Sequence, residues 1–252
     1  MPKVWILRGV KKGILTSGFP KAKPTAEEIP QTSAPPTATD RSDWAEGERL
    51  CPTGAIKDGR ATERAVDLGR CVYCRRCTGA GFEFAGPEVR GTAALQASVK
   101  SGLEARRRGF RRSLHILMID VGSCNACNLE VLNLSNPYYD LTRLGIFFTN
   151  SPKHADALVV VGALNAAMVD ALKRTYESMP GPKFVISVGA CAISGGVFQK
   201  TEGFVSPVGD AVPVDVVIPG CPPTPIQVLE GLLLAMGRLE KRPAAREVAS
   251  QP

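Results

Sequence analysis

Eight cysteines, in two sets of four with unlike spacing, constrain this chain more than any other feature. One set is compact: Cys71, Cys74 and Cys77 stand three apart in GRCVYCRRCTG, with Cys51 twenty residues earlier in LCPTGAI. The other is dispersed: Cys124 and Cys127 lie in GSCNACNLE, Cys191 in VGACAISGG and Cys221 in IPGCPP, ninety-seven positions from first to last. Loops of a small module can close the first set. The second set can meet only if the fold carries remote segments to one edge. Where thiols stay reduced, short spacings of this kind point to metal ligation and away from disulfides.

The later part of the chain supplies such a fold. Apolar runs LHILMID (114–120), LGIFFT (144–149), ADALVVVG (155–162), KFVISVG (183–189) and VDVVIPG (214–220) read as strands. Helix-length segments 163–179 and 224–239 flank them. Short β-rich runs alternating with helices predict an α/β domain over 113–240, a doubly wound, flavodoxin-like parallel sheet covered on both faces. With 252 residues and 44% hydrophobic composition, one such core leaves room for one smaller module. That module is expected at 43–90 as a small α+β domain, which the resemblance of its cysteines to a bacterial ferredoxin motif, set out below, marks as ferredoxin-like, with IKDGRA forming two short strands about an Asp-Gly turn. Residues 1–42 read as an N-terminal segment and Pro-rich linker, 91–112 as a basic connecting helix, and 241–252 as a tail.

Cys124, Cys127, Cys191 and Cys221 each follow a predicted strand at its carboxyl end, the edge where open parallel sheets carry their ligands. Four thiolates suit tetrahedral zinc or a four-iron, four-sulfur cluster. Gly122, Gly189, Gly195, Gly196 and Gly220 favour the bulkier cluster, which needs close backbone approach and amide donors to its sulfides. The two histidines, His115 in a strand and His154 before one, read as structural.

In the compact set, Cys71, Cys74 and Cys77 have the spacing of a bacterial ferredoxin motif, and Cys51-Pro52 resembles the end of another. The fourth cysteine of each such motif ligates the other motif's cluster, which makes Cys51 the natural fourth ligand. The remaining ligand positions of a two-cluster module fall on Arg41, Trp44, Gly47 and Gly81. One complete [4Fe-4S] site and one vacant lobe are therefore expected. Zinc on a Cys-x2-Cys pair is the alternative, but it leaves the third cysteine and CPTGAI unexplained.

The stretches VGSCNACNLEVLNLSNPYYDLTRLGI, SPKHADALVVVGALN, VISVGACAISGGVF and VDVVIPGCPPTP together resemble the small subunit of membrane-associated nickel-iron hydrogenases, including the formate hydrogenlyase type, and the homologous cluster subunit of complex I. The resemblance covers about residues 113–238. It implies that Cys124, Cys127, Cys191 and Cys221 hold the [4Fe-4S] cluster nearest a large subunit's active site, with Glu130 beside it. A carboxylate favoured by a helix N-terminus is the other reading of Glu130. The two-residue spacer in Cys124-Asn125-Ala126-Cys127 is the hydrogenase-like form, since complex I subunits carry adjacent cysteines there. GALN at 162–165 and Asn128 depart from the usual strings without touching a cysteine. RGVKKGILTSGFPKAKP is similar to the start of the ferredoxin-like subunits that accompany these hydrogenases, so the chain looks like a fusion of two neighbours.

The resemblance implies an electron-transfer subunit with two [4Fe-4S] clusters. Its expected partners are a nickel-iron hydrogenase large subunit or complex I-like homologue, together with further iron-sulfur and membrane subunits. A complex I-like quinone-reducing module, and a redox sensor or scaffold without turnover, are the alternatives. No run reaches the roughly 18 apolar residues of a bilayer span, and no signal peptide opens the chain. A peripheral place on the cytoplasmic side of the membrane is expected, with possible membrane contact through Val4, Trp5, Leu7, Lys11 and Ile14 or the arginines at 106–112. Nucleic acid is not an expected partner, because no aromatic platform accompanies the basic patch.

Overall fold

A computed structural model describes residues 10, 11, 13, 16–20, 36–58, 65–84, 98–99, 108–199, 201–205 and 207–239. The strands are β1 Pro36–Thr37, β2 Ile56–Lys57, β3 Ala65–Val66, β4 Glu83–Phe84, β5 Ser98–Val99, β6 Leu114–Asp120, β7 Ile146–Phe148, β8 Ala157–Val161, β9 Phe184–Val188 and β10 Val216–Ile218. The α-helices are α1 Trp44–Leu50, α2 Ala126–Leu132, α3 Val169–Ser178, α4 Ala190–Ser194 and α5 Pro225–Ala235.

One sheet runs in the order β5-β10-β9-β8-β6-β7, with β5 antiparallel and the other five parallel. Counted along the chain, the parallel strands lie 2-1-3-4-5, the flavodoxin-like doubly wound order. The expected α/β class is thereby met. Central strands β8 (ALVVV) and β9 (FVISV) are buried at every position, as a sheet covered on both faces requires. One core packs α5 and α2 against Ile116, Val159 and Ile186, and the other packs Leu172 of α3 and Ala192 of α4 against Leu158, Val160 and Val185. Thr224 and Gln227 form a reciprocal capping box at the start of α5, with Pro225 in the first turn, so the helix begins on its last free donors. Among the described residues no helix is long and apolar enough to cross a membrane.

Two short antiparallel pairs, β1 with β4 and β2 with β3, form the smaller unit. Its core is Ile56, Cys77, Ala80 and Phe82. Asp43 caps α1 by accepting from the Glu46 amide at 3.0 Å.

Several expectations are corrected. Ile56–Lys57 pairs with Ala65–Val66 and not with residues directly after the Asp-Gly pair, because the apolar partner that covers Ile56 is Val66. Pro36–Thr37, read as linker, pairs with Phe84 and Glu83. Phe19 is buried in the larger core, beside Ser17, whose amide donates to the Tyr138 carbonyl at 2.9 Å. Within the expected connecting helix, Ser98–Val99 is a strand that completes the sheet beyond β10, and Phe110 ends a 3-10 turn edge-on to Phe184. Val4, Trp5, Leu7, Ile14, Arg106, Arg107 and the tail lie outside the described residues.

Candidate metal centres

β6, β9 and β10 point their carboxyl ends the same way, and the segments that follow carry Cys124 and Cys127, Cys191, and Cys221. β8 lies between β6 and β9 and contributes no cysteine. Its role is close approach: a Cβ on Gly162 would stand 2.5 Å from the Ser123 amide nitrogen, and one on Gly122 would stand 2.4 Å from the Ala163 carbonyl oxygen. The Cys124 loop therefore leans on the end of β8 toward the other two. The thiols feel one another there. Burial, then Cys191, Cys221, Cys124 and Glu130, push the Cys127 thiol up to about 12. Burial, with Cys221 and Cys124, pushes Cys191 up to about 11, and burial with Cys124 raises Cys221. A cation bound there would have to take these thiols as thiolates, releasing their protons.

The loop before Cys124 is organised by Asp120, a residue the motif reading passed over. Its carboxylate accepts from the amides of Gly122 (2.9 Å) and Ser123 (2.8 Å), the Ser123 hydroxyl (2.8 Å) and Asn128 Nδ2 (2.6 Å). Burial works against the charge, but these donors hold the carboxyl below its ordinary value. An Asp at the strand end with Gly-Ser two and three residues on was the available signal, since such side chains cap the turns they open.

Cys51, Cys71, Cys74 and Cys77 line a single pocket with Ala55, Ile56, Val66 and Phe84. The Ala55 amide donates to Cys51 Sγ at 3.2 Å. Burial opposes ionisation of Cys51, yet the Thr53, Ile56 and Ala55 amides and the Thr53 hydroxyl outweigh it and lower its value. Cys71 is pushed up to about 11 by burial, against the Tyr73 amide and with the other three thiols adding to the rise. Cys77 is raised by burial, Cys74 and Cys51. Tyr73 and Arg75 take left-handed backbone (φ 54° and 62°), curling the loop about the pocket at positions where side chains are seldom found so.

Both donor sets suit a four-iron cluster. Each has four thiols, some buried and some exposed, and the first has amides aimed at sulfur. In the second, a Cβ on Gly189 (φ +87°) would stand 2.6 Å from Cys127 Sγ and one on Gly196 3.1 Å from Cys191 Sγ, so space beside the sulfurs depends on glycine. Gly122 and Gly220 serve otherwise, abutting Ala163 and Pro223. Among the described residues no three His, Cys, Asp or Glu side chains converge as they would around one ion.

The four positions where the small unit lacks cysteine also gather. Trp44 packs edge-on to Phe82 with ring centroids 5.2 Å apart, and a Cβ on Gly47 would stand 2.6 Å from Phe82 Cε2. A Cβ on Gly81 would stand 2.8 Å from the Arg41 carbonyl oxygen. Phe82, 1% exposed, fills this lobe. Glu130 is the fifth residue of seven-residue α2, past the first turn, so the helix-dipole reading of it fails. Burial, against a hydrogen bond with Asn133, raises its carboxyl, and it in turn raises Cys127. His115 stacks on Phe147 and lies 3.2 Å from Asp156, and His154 ends the 3-10 turn Pro152–His154.

A family model described as "NADH ubiquinone oxidoreductase, 20 Kd subunit" matches residues 124–235. The chain is 40% identical over 130 residues to "Probable membrane-bound hydrogenase subunit mbhJ" of Pyrococcus furiosus, covering 52% of this chain and 78% of that one. It belongs to this 20 Kd subunit family. The family's matched span begins at Cys124 and ends with α5, leaving the compact cysteine set outside it. Formate hydrogenlyase subunit 7 of Escherichia coli is 41% identical over 159 residues, 62% of this chain, and the chain spans only 61% of that relative's length. Among solved structures, a chain from the membrane-bound sulfane sulfur reductase, an archaeal respiratory membrane complex, is similar at 31% identity with a TM-score of 0.47, covering 52% of this chain and 72% of that one.

Proposed function

We propose that this chain is an electron-transfer subunit of a multisubunit oxidoreductase, joining a ferredoxin-like module to a hydrogenase small-subunit domain. In this reading Cys51, Cys71, Cys74 and Cys77 hold one [4Fe-4S] cluster, and Cys124, Cys127, Cys191 and Cys221 hold another. Such clusters accept and release single electrons, over potentials spanning roughly a volt with their surroundings. The observation that carries the reading is that the four dispersed cysteines all follow strand carboxyl ends on one edge of the sheet, close enough for Cys191, Cys221 and Cys124 to act on Cys127, with Gly189 set against the Cys127 sulfur. The residues act as ligands and as walls; no acid, base or nucleophile is assigned.

The partner is a nickel-iron large subunit docked around Cys124, Cys127 and Glu130. Leu129 and Leu132 of α2, the helix that carries Cys127 and Glu130, are 57% and 49% exposed and offer apolar area to a partner. Membrane attachment then comes through other subunits, on the cytoplasmic side. Anaerobic iron and sulfide analysis with electron paramagnetic resonance tests the cofactor content: about eight irons per chain are expected, and about four, or stoichiometric zinc, overturns it. Hydrogen turnover with a reduced dye should be absent from the chain alone and present in its native complex. A nickel-free complex that reduces quinone would replace the hydrogenase reading with the complex I-like one.

A further inference from the structure

The N-terminal portion of the chain touches the six-stranded sheet domain at two separate places. One is α4 and the turn after it, where Ser194 Oγ donates to the Gly69 carbonyl at 3.1 Å and Gln199 Nε2 donates to the Thr53 carbonyl at 3.2 Å. Gln199 Oε1 also accepts from Arg70 Nη1 at 3.4 Å, and a Cβ on Gly69 would stand 3.0 Å from Ile193 Cγ2. Through Ala192, α4 reaches the core on one face of the sheet.

The second place is a strap at residues 16–20, which precedes the small unit in the chain yet lies on the opposite face of the sheet. Phe19, 5% exposed, is buried in the core that holds α2 and α5. The strap is tied to the segment after α2. Thr16 Oγ1 donates to the Pro137 carbonyl at 2.9 Å, the Ser17 amide donates to the Tyr138 carbonyl at 2.9 Å, and Arg143 Nη2 donates to the Phe19 carbonyl. Further along the chain, β1 joins the small unit by pairing with β4. The N-terminal portion thus grips the sheet domain on both faces. Both receiving surfaces, 137–143 and 193–199, fall inside the matched family span, and neither gripping segment does.

The α4 contacts alone would leave the small unit free to move, because a few neutral hydrogen bonds hold little and small polar interfaces between units permit motion. A buried phenylalanine contributes far more. Two contacts on one chain also reinforce each other, since making the first brings the second to a high effective concentration.

We propose that the strap at 16–20 and the contacts of Thr53, Gly69 and Arg70 form a two-point clasp, so that the sheet domain carries a docking surface for the small unit that works without the covalent connection at 85–97. The compact cysteine set is then held at a fixed distance from the dispersed set and does not swing on a linker. This holds whichever group the cysteines bind.

The test uses the full chain, purified anaerobically, with a protease site inserted between Gly91 and Thr92. After cutting, 1–91 and 92–252 should elute together in gel filtration, and the Ser17 amide should stay as protected from hydrogen exchange as in the uncut chain. Phe19→Ala should weaken the association of the cut halves about a hundred-fold or more, and Gln199→Ala about tenfold or less. Far-ultraviolet circular dichroism of each uncut variant checks that the sheet is intact. If Phe19→Ala fails to fold, elution and Ser17 exchange in the cut wild type decide. Wild-type halves that separate on cutting, or a Ser17 amide that exchanges freely while they stay together, overturn the clasp. Association in cut Phe19→Ala equal to wild type overturns the part given to the strap.

Discussion

The two cysteine sets are assembled by opposite structural means. In the compact site, three thiols come from a seven-residue loop, and the surrounding unit has strands of two residues and a core of a few side chains. Backbone amides turn inward, and they lower Cys51 despite burial. In the dispersed site, a six-stranded sheet with two full cores brings three remote segments together, and burial holds Cys127 and Cys191 far above an ordinary thiol. A loop site is organised by its own backbone; a sheet-edge site is organised by everything beneath it. The first should therefore fail locally when disturbed, while the second should tolerate little at the few glycines that touch its sulfurs.

The largest contrast is expected from Gly189→Ala set against Cys74→Ser. A Cβ at position 189 collides with Cys127 Sγ and places an L side chain where φ is +87° and ψ is 155°, a conformation that costs about 1–3 kcal/mol by itself. Iron should fall from about eight to about four per chain, the dispersed site's signal should vanish, and the compact site's should persist. Cys74→Ser should give the mirror result with the sheet still folded. Loss of both signals in either variant would show that contacts such as Ser194 Oγ to the Gly69 carbonyl and Gln199 Nε2 to the Thr53 carbonyl make the sites one cooperative unit, and that the contrast drawn above is wrong.

Phe82→Ala should have an intermediate effect. Removing a ring buried among Trp44, Gly47 and Ile56 should destabilise the small unit by about 3–5 kcal/mol. Denaturant titration should show the compact site's absorbance lost earlier, with the far-ultraviolet transition of the sheet unmoved. A shift of both transitions together would count against separate organisation.

The smallest effect should come from Asp120→Asn, which removes the carboxylate that gathers the Cys124 loop, at a cost of about 1 kcal/mol for this largely exposed group. Because the folded carboxyl lies below its ordinary 3.8, its contribution is fully present above that value and is lost as pH falls through the folded one. Acid unfolding of the wild type should therefore steepen below pH 3.8, and the asparagine variant should lack that component. Identical acid profiles would remove Asp120 from the account.

The sheet was legible because its strands are long apolar runs whose order follows from parallel crossovers, and LHILMID became Leu114–Asp120 without adjustment. The placement of the dispersed cysteines after strand ends was legible from the apolar runs before them, and the shared pocket of the compact four from their spacing. Two-residue strands were not: Pro36–Thr37 and Ser98–Val99 carry no periodicity of their own and exist only because Glu83–Phe84 and β10 offer free edges. The contacts between the two units were equally hidden, since Gln199 and Ser194 are ordinary polar residues until folding sets them against Thr53 and Gly69. Nor does a left-handed backbone such as that of Tyr73 leave any mark in the residue type.

The ring pair of Trp44 and Phe82 acts as insulation. In the reading proposed above, the small unit has one place where charge can rest, and the flank that could have held a second is packed with hydrocarbon. In that reading an electron entering near the exposed Cys74 would meet no branch on that side, and a foreign acceptor approaching the filled lobe would find nothing to draw from.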